Sequence, residues 1–164
     1  MAGSEWLDEQ EARAWRQFLV MSSRLRRSLG AELQRDTGLS DGDYGVLVAL
    51  SEAPDARLRP SEIGTAIQWE KSRLSHHLTR MEQRGLVKRM PCKTDNRGAL
   101  VGMTAAGRRA LEQAAPQHVD HVRRVFFDAL TRDQIAALAD ISEAVLAKLE
   151  QCPQDASEDC GNDN

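Results

Sequence analysis

Aromatic residues are scarce in this chain of 164, at 4% of the total. A core must therefore be assembled mainly from Leu, Val, Ile, Ala and Met. No apolar run approaches the roughly 18 residues of a spanning helix, which argues against a membrane segment. Met1 to Glu11 is acidic and polar and lacks an apolar signal core, so a cytoplasmic location is the default expectation. Cysteines number only three, Cys92, Cys152 and Cys160. An odd count at no zinc-ligand spacing argues against a disulfide framework and a zinc finger. They read as free thiols in a reducing compartment. For Cys92 an oxidant-sensing role is the alternative, because Lys88, Arg89 and Lys93 nearby favour a thiolate. Also missing are a phosphate-cradling glycine loop, a nucleophile elbow and paired acids at strand ends, so no enzyme and no cofactor is expected. There are no internal repeats.

Net charge is −3, which alone disfavours nucleic acid. The distribution reverses that. Lys71, Arg73, Arg80, Arg84, Lys88, Arg89, Lys93 and Arg97 are opposed within 71–97 only by Glu82 and Asp95, eight cations against two acids. A basic face on an acidic body suffices for phosphate binding, since only the contacting surface must neutralise phosphates. A merely solvated charged face has the same composition.

Apolar residues at three- and four-residue steps predict a helix over 8–36, with Trp15, Phe18, Leu19, Ser22, Leu25, Leu29 and Leu33 on its stripe. Gly38 suits a left-handed C-cap. Ser40, with Asp43 three residues on, opens a second helix that Ala53-Pro54-Asp55 ends. Arg59-Pro60-Ser61-Glu62 opens a third, with Ile63 and Ile67 inward. Gln68-Trp69-Glu70 turns into a fourth over 71–84, stopped by Gly85. Strands at 86–90 and 99–103 flank a polar, basic loop and form a hairpin. Thr104 caps a helix to about Ala129, with Gly107 tolerated in its first turn and Pro116 expected to bend it. Thr131 caps a last helix through Leu149, with Ile135, Leu138, Ile141, Val145, Leu146 and Leu149 as its stripe. Residues 1–7 and the polar tail 151–164 are expected to be disordered.

The expected fold is therefore mainly α (α+β), a winged helix-turn-helix over 40–103 with long terminal helices and a two-stranded wing. At about 100° per residue, Leu74, Leu78 and Met81 fall in one narrow arc of the fourth helix. Ser72, Arg73, His76, Thr79, Arg80 and Gln83 fall opposite. A major groove needs such a helix, anchored behind and polar in front. Arg73 is the candidate for a bidentate contact to guanine, and Ser72, Ser75 and His76 for contacts to bases or phosphates. Lys71 at the helix start suits phosphate, Arg80 lies on the same polar side, and His77 beside the apolar arc suits a packing role. At the hairpin tip Arg97 fits a minor groove, with Asp95 orienting it and Lys93 adding charge. A weak surface Asp–Arg pair is the alternative.

The run from Trp69 to Arg89, WEKSRLSHHLTRMEQRGLVKR, resembles the recognition helix and first wing strand of MarR-type regulators. Asp95-Asn96-Arg97, followed by Val101-Gly102-Met103-Thr104-Ala105-Ala106-Gly107, resembles that family's wing and its entry into the next helix. The likeness extends over about residues 11–150. Gly98-Ala99-Leu100 departs by lacking a further Arg that many members carry, and Met103 replaces a commoner Leu. The resemblance implies a homodimer whose dimerisation region is 8–36 with 105–150, bound to a pseudo-palindromic operator in double-stranded DNA. These terminal helices carry more apolar stripe than a small winged domain covers, which independently suggests an interface. The resemblance also implies a repressor released by a small aromatic or phenolic effector. Trp15, Phe18 and Tyr44 are the candidate lining, with Arg13 or Arg16 as anion partner; the alternative is that Trp15 and Phe18 are interface core. His118 and His121, three apart, have a metal-sharing spacing, but two solvated histidines are the commoner case and no metal is expected. The rival readings are a redox- or metal-responsive regulator of the same fold, and a winged-helix module that binds an acidic protein.

Overall fold

The computed structural model describes residues 6–91 and 99–151. By internal packing the chain divides into a unit ending at Arg123 and a unit starting at Arg124. The wing tip with Cys92, Lys93, Asp95 and Arg97 lies outside the described residues, as do Cys152, Cys160 and most of both terminal segments expected to be disordered.

In the first unit, α1 spans Glu9–Thr37. Asp8 caps it, accepting from the Glu11 amide while the Glu11 carboxylate accepts from the Asp8 amide. Such a reciprocal pair satisfies amide donors that have no partner inside the helix. Gly38 ends α1 at φ 69°, the left-handed C-cap the sequence called for. Helix α2, Asp41–Glu52, starts on the same reciprocal pattern between Ser40 and Asp43. Helix α3 is Pro60–Ile67, with the Glu62 carboxylate accepting from the Arg59 amide. Gln68 then turns left-handed at φ 54° and leads into α4, Lys71–Gln83. Gly85, at φ 71°, releases the chain from α4.

The expected hairpin is present as β2, Val87–Pro91, and β3, Ala99–Met103, paired antiparallel from Val87 opposite Met103 to Pro91 opposite Ala99. A third strand was not expected. Arg57–Leu58, read from sequence as linker, forms β1 and pairs antiparallel with β3, giving the order β1-β3-β2. Two residues are too few to show alternation, so only the open edge of β3 could reveal this strand.

The core is aliphatic throughout. Val46, Leu47 and Leu50 of α2 meet Ile63, the Leu74, Leu78 and Met81 arc of α4, and Val87 and Val101 of the sheet; Leu33, Leu39 and Ala114 close its edge.

Helix α5 spans Ala105–Val125, shorter than expected, and continues across Pro116. The first turn of a helix leaves its amides free, and Thr104 Oγ1 accepts one of them, from Gly107. Gly107 is required here rather than tolerated. A β-carbon on it would collide with the Leu86 carbonyl oxygen, which already accepts from Thr104.

In the second unit a short 3-10 turn, Phe127–Ala129, occupies residues expected to be α-helical. Helix α6 follows over Arg132–Gln151, started by a reciprocal pair between Thr131 and Gln134. Its last residue, Gln151, was expected in the tail. No described helix is long and apolar enough to cross a membrane.

Candidate nucleic-acid interface

Helix α4 is held from behind and open in front. Leu74, Leu78 and Met81 are at most 2% exposed, while Lys71, Ser72, Arg73, Ser75, His76 and Arg80 are all exposed. The six helix residues selected from sequence therefore share one solvent-facing side, and no large apolar side chain interrupts them.

His77 takes the packing role expected of it and organises the back of the helix. It is 6% exposed and stands edge-on to Trp69, ring centroids 5.0 Å apart. Its Nδ1 accepts from the Arg80 guanidinium at 3.2 Å. Its Nε2 lies 3.1 Å from Asp43 Oδ1, too poorly aligned for a straight hydrogen bond. Burial lowers the His77 pKa; Asp43 opposes that, and Arg80 and Arg84 add to the lowering. A neutral ring with its lone pair on Nδ1 follows, which suits the bond from Arg80.

Asp43 is the hub of this layer, at 2% exposure. Burial would raise its pKa, but the Ser40 amide, Arg84 and the Ser40 hydroxyl together hold it below the usual carboxylate value. Arg84 donates to Asp43 Oδ2 at 2.6 Å and to the Gly38 carbonyl at 2.8 Å. The end of α4 is thereby tied to the junction of α1 and α2. The sequence announced Asp43 only as a capping residue; its contacts with His77 and Arg84 reach positions 34 and 41 residues away.

Two contacts that the sequence reading did not include complete the face. The Arg73 Cζ lies 3.8 Å from the centroid of the Trp69 ring. The spacing of four residues at a helix start is the sequence signal for this contact. Arg89 of β2 donates to Thr79 Oγ1 at 3.0 Å, and its backbone amide donates to Glu82 at 2.8 Å. Arg89 thus fastens the first wing strand to α4.

The proposed effector residues are not brought into one place. Trp15 and Phe18 stack on each other, centroids 5.8 Å apart and about half exposed. Tyr44 packs instead against His118 at 4.6 Å. The nearby cleft, about 210 Å³ including space open to solvent, is lined by residues of α1 and α5 such as Leu29, Glu32, His118 and His121, and by none of the three. The two histidines are also not the solvated pair expected. His121 is 7% exposed, its Nδ1 paired with Glu32 and its Nε2 3.2 Å from Ser28 Oγ. Burial lowers the His118 pKa, with Asp41 opposing. Among the described residues no three His, Cys, Asp or Glu side chains converge to hold a metal.

Three helices, a small antiparallel sheet and a fourth helix with a basic outer side define a winged helix-turn-helix protein. The model of the MarR family matches residues 37–98. The chain also superimposes on two MarR family transcriptional regulators from Streptomyces coelicolor. With Sco3205, solved in complex with DNA, the TM-score is 0.86 at 38% identity, covering 95% of this chain and 97% of that one. With AbsC the TM-score is 0.84 at 36% identity, covering 91% and 100%. The HTH-type transcriptional repressor YetL of Bacillus subtilis (strain 168) is 31% identical over 88 residues, which is 54% of this chain and 53% of YetL. The match thus spans about half the length of that relative. The chain belongs to the MarR family of transcriptional regulators.

Proposed function

We propose that the protein is a homodimeric repressor that reads a pseudo-palindromic site in double-stranded DNA, with α4 of each subunit in a major groove. The observation that carries this reading is the two-sidedness of α4. Six hydrogen-bonding residues from Lys71 to Arg80 are exposed, over a back face that is buried. Arg73 reads guanine, Lys71 holds phosphate, and Ser72, Ser75, His76 and Arg80 supply the remaining contacts. Lys93, Asp95 and Arg97 of the wing tip are assigned to the adjacent minor groove from sequence. The DNA complex of Sco3205 supports the choice of partner, and the name of YetL supports repression.

Dimerisation is supported by uncovered apolar surface. Trp15, Phe18, Leu19 and Met21 of α1 are 42% to 53% exposed, and Ile141, Val145, Leu146 and Leu149 of α6 are 53% to 63% exposed. Such runs are the mark of an interface. Two-fold symmetry then sets half-sites about one helical turn apart.

The test is selection of duplexes from a randomised pool by the purified protein. A palindromic consensus is expected. Arg73→Ala should relax preference at one base pair per half-site, by about 1–3 kcal/mol. Lys71→Ala should weaken all duplexes alike and flatten the salt dependence. Enrichment of no sequence at modest ionic strength would overturn the reading.

A further inference from the structure

We propose that Trp69 is a positioning residue for sequence readout, an aromatic platform that holds the Arg73 guanidinium in the orientation that meets a base edge. The inference rests on the reading of α4 as the DNA-contacting helix and adds a specificity determinant that does not itself touch the base.

The platform is built on every side. The Trp69 amide donates to the Gly64 carbonyl at 2.9 Å, which closes the turn before α4. The His77 ring meets the indole edge-on, 80° from its plane. The indole rim lies against Gly42 of α2, where a β-carbon would overlap it. One face of the ring lies under the Arg73 guanidinium. No carboxylate among the described residues pairs with Arg73, so the ring is its anchor.

The chemistry favours readout over sequestration. A separation of 3.8 Å between Cζ and the ring centroid is a stacking distance. Stacking engages the flat face of the guanidinium and leaves its in-plane N–H donors free. Those in-plane donors are the ones that reach guanine O6 and N7. A long arginine free in solvent would have to give up its rotamer freedom on docking. One already held on an indole has less to lose, so the correct base gains relative to the wrong one.

The experiment is a double-mutant cycle of Trp69→Leu and Arg73→Ala in the full-length protein. The probes are the best duplex selected from the randomised pool and a scrambled duplex of equal composition. Trp69→Leu is expected to reduce the ratio of the two affinities about two- to ten-fold, with binding to the scrambled duplex unchanged. In the Arg73→Ala background, Trp69→Leu should change the ratio no further. Trp69→Phe, which keeps a ring face in the same cradle, should retain most of the ratio; if Trp69→Leu melts early, the unbranched and ring-free Trp69→Met takes its place in the cycle. Equal weakening on both duplexes, or a loss that adds in full to that of Arg73→Ala, refutes the platform while leaving α4 as the reading helix. No effect of Arg73→Ala on the ratio removes Arg73 from base readout and takes the platform with it.

Discussion

The guanidinium of Arg84 meets the carboxylate of Asp43 at 2.6 Å, with the Asp43 side chain 2% exposed and that of Arg84 46% exposed. One carboxylate thus caps α2, grips the end of α4 and faces His77. The reading helix is held by a polar layer as well as by its aliphatic face. Removing one partner of a buried charge pair costs more than the pair contributes, because the survivor stays desolvated.

Asp43→Ala removes one half of the capping pair with Ser40 and the carboxylate that Arg84 grips, and is expected to lower unfolding free energy by about 3 kcal/mol. Arg84→Ala should cost less, about 1–2 kcal/mol, because the Asp43 carboxylate keeps the Ser40 amide as a donor and water enters the vacated half-exposed site. Urea titrations at one fixed protein concentration measure both. Equal costs for the two variants would show that the Ser40–Asp43 capping pair adds nothing beyond the pair with Arg84.

Acid should destabilise the fold in two stages. Burial lowers the pKa values of His77 and His118. As pH falls below the ordinary imidazole value near 6.5, the unfolded chain therefore binds protons before the folded one does. Stability from these two groups is complete above about pH 7 and declines as pH drops toward their folded pKa values. Asp43, whose pKa is also lowered, adds a second loss below the usual carboxylate range. Thermal melts from pH 8 to pH 2 check the order. A His77→Gln variant should show a smaller decline between pH 7 and pH 5 than its parent.

Gly107→Ala sets a methyl group against the Leu86 carbonyl. That oxygen cannot retreat easily, because the Thr104 amide donates to it at 3.2 Å and the Thr104 hydroxyl holds the adjacent Gly85 carbonyl at 2.6 Å. A cost of about 1–3 kcal/mol is expected, as for other overpacked sites. An unchanged melting temperature would mean that α5 and the turn leading into β2 shift freely at this point.

Charge placed on the apolar side of α6 should break self-association. Ile141→Asp with Leu146→Asp is expected to turn a dimer into a monomer in sedimentation velocity, because both residues are more than half exposed in the single chain and a charge buried in an interface lacks compensation. Retention of the dimer would remove α6 from the interface.

Much of the architecture was legible because it is local. Gly38 and Gly85 mark helix ends through their left-handed φ values. Ser40 with Asp43, and Thr104 before Gly107, mark helix starts because a short oxygen side chain reaches a free amide two or three residues ahead. The polar and aliphatic sides of α4 followed from helical periodicity alone. Less legible were the end of α5 at Val125, where no proline or glycine marks the stop, and the strand at Arg57–Leu58.

By itself, then, the order of residues determined which segments are helices, where they begin, and which side of α4 meets solvent. Each of those is settled within about one turn of chain, by periodicity and capping chemistry. Tertiary structure alone decided that Arg73 rests on Trp69, that Asp43 gathers His77 and Arg84, that His121 is buried against Glu32, and that Arg57–Leu58 joins the sheet. Most of these join side chains far apart in sequence, and even Arg73 on Trp69 needs a ring that Gly42 and His77 hold in place. Their energies come from burial and charge complementarity, and both exist only once the chain has closed on itself.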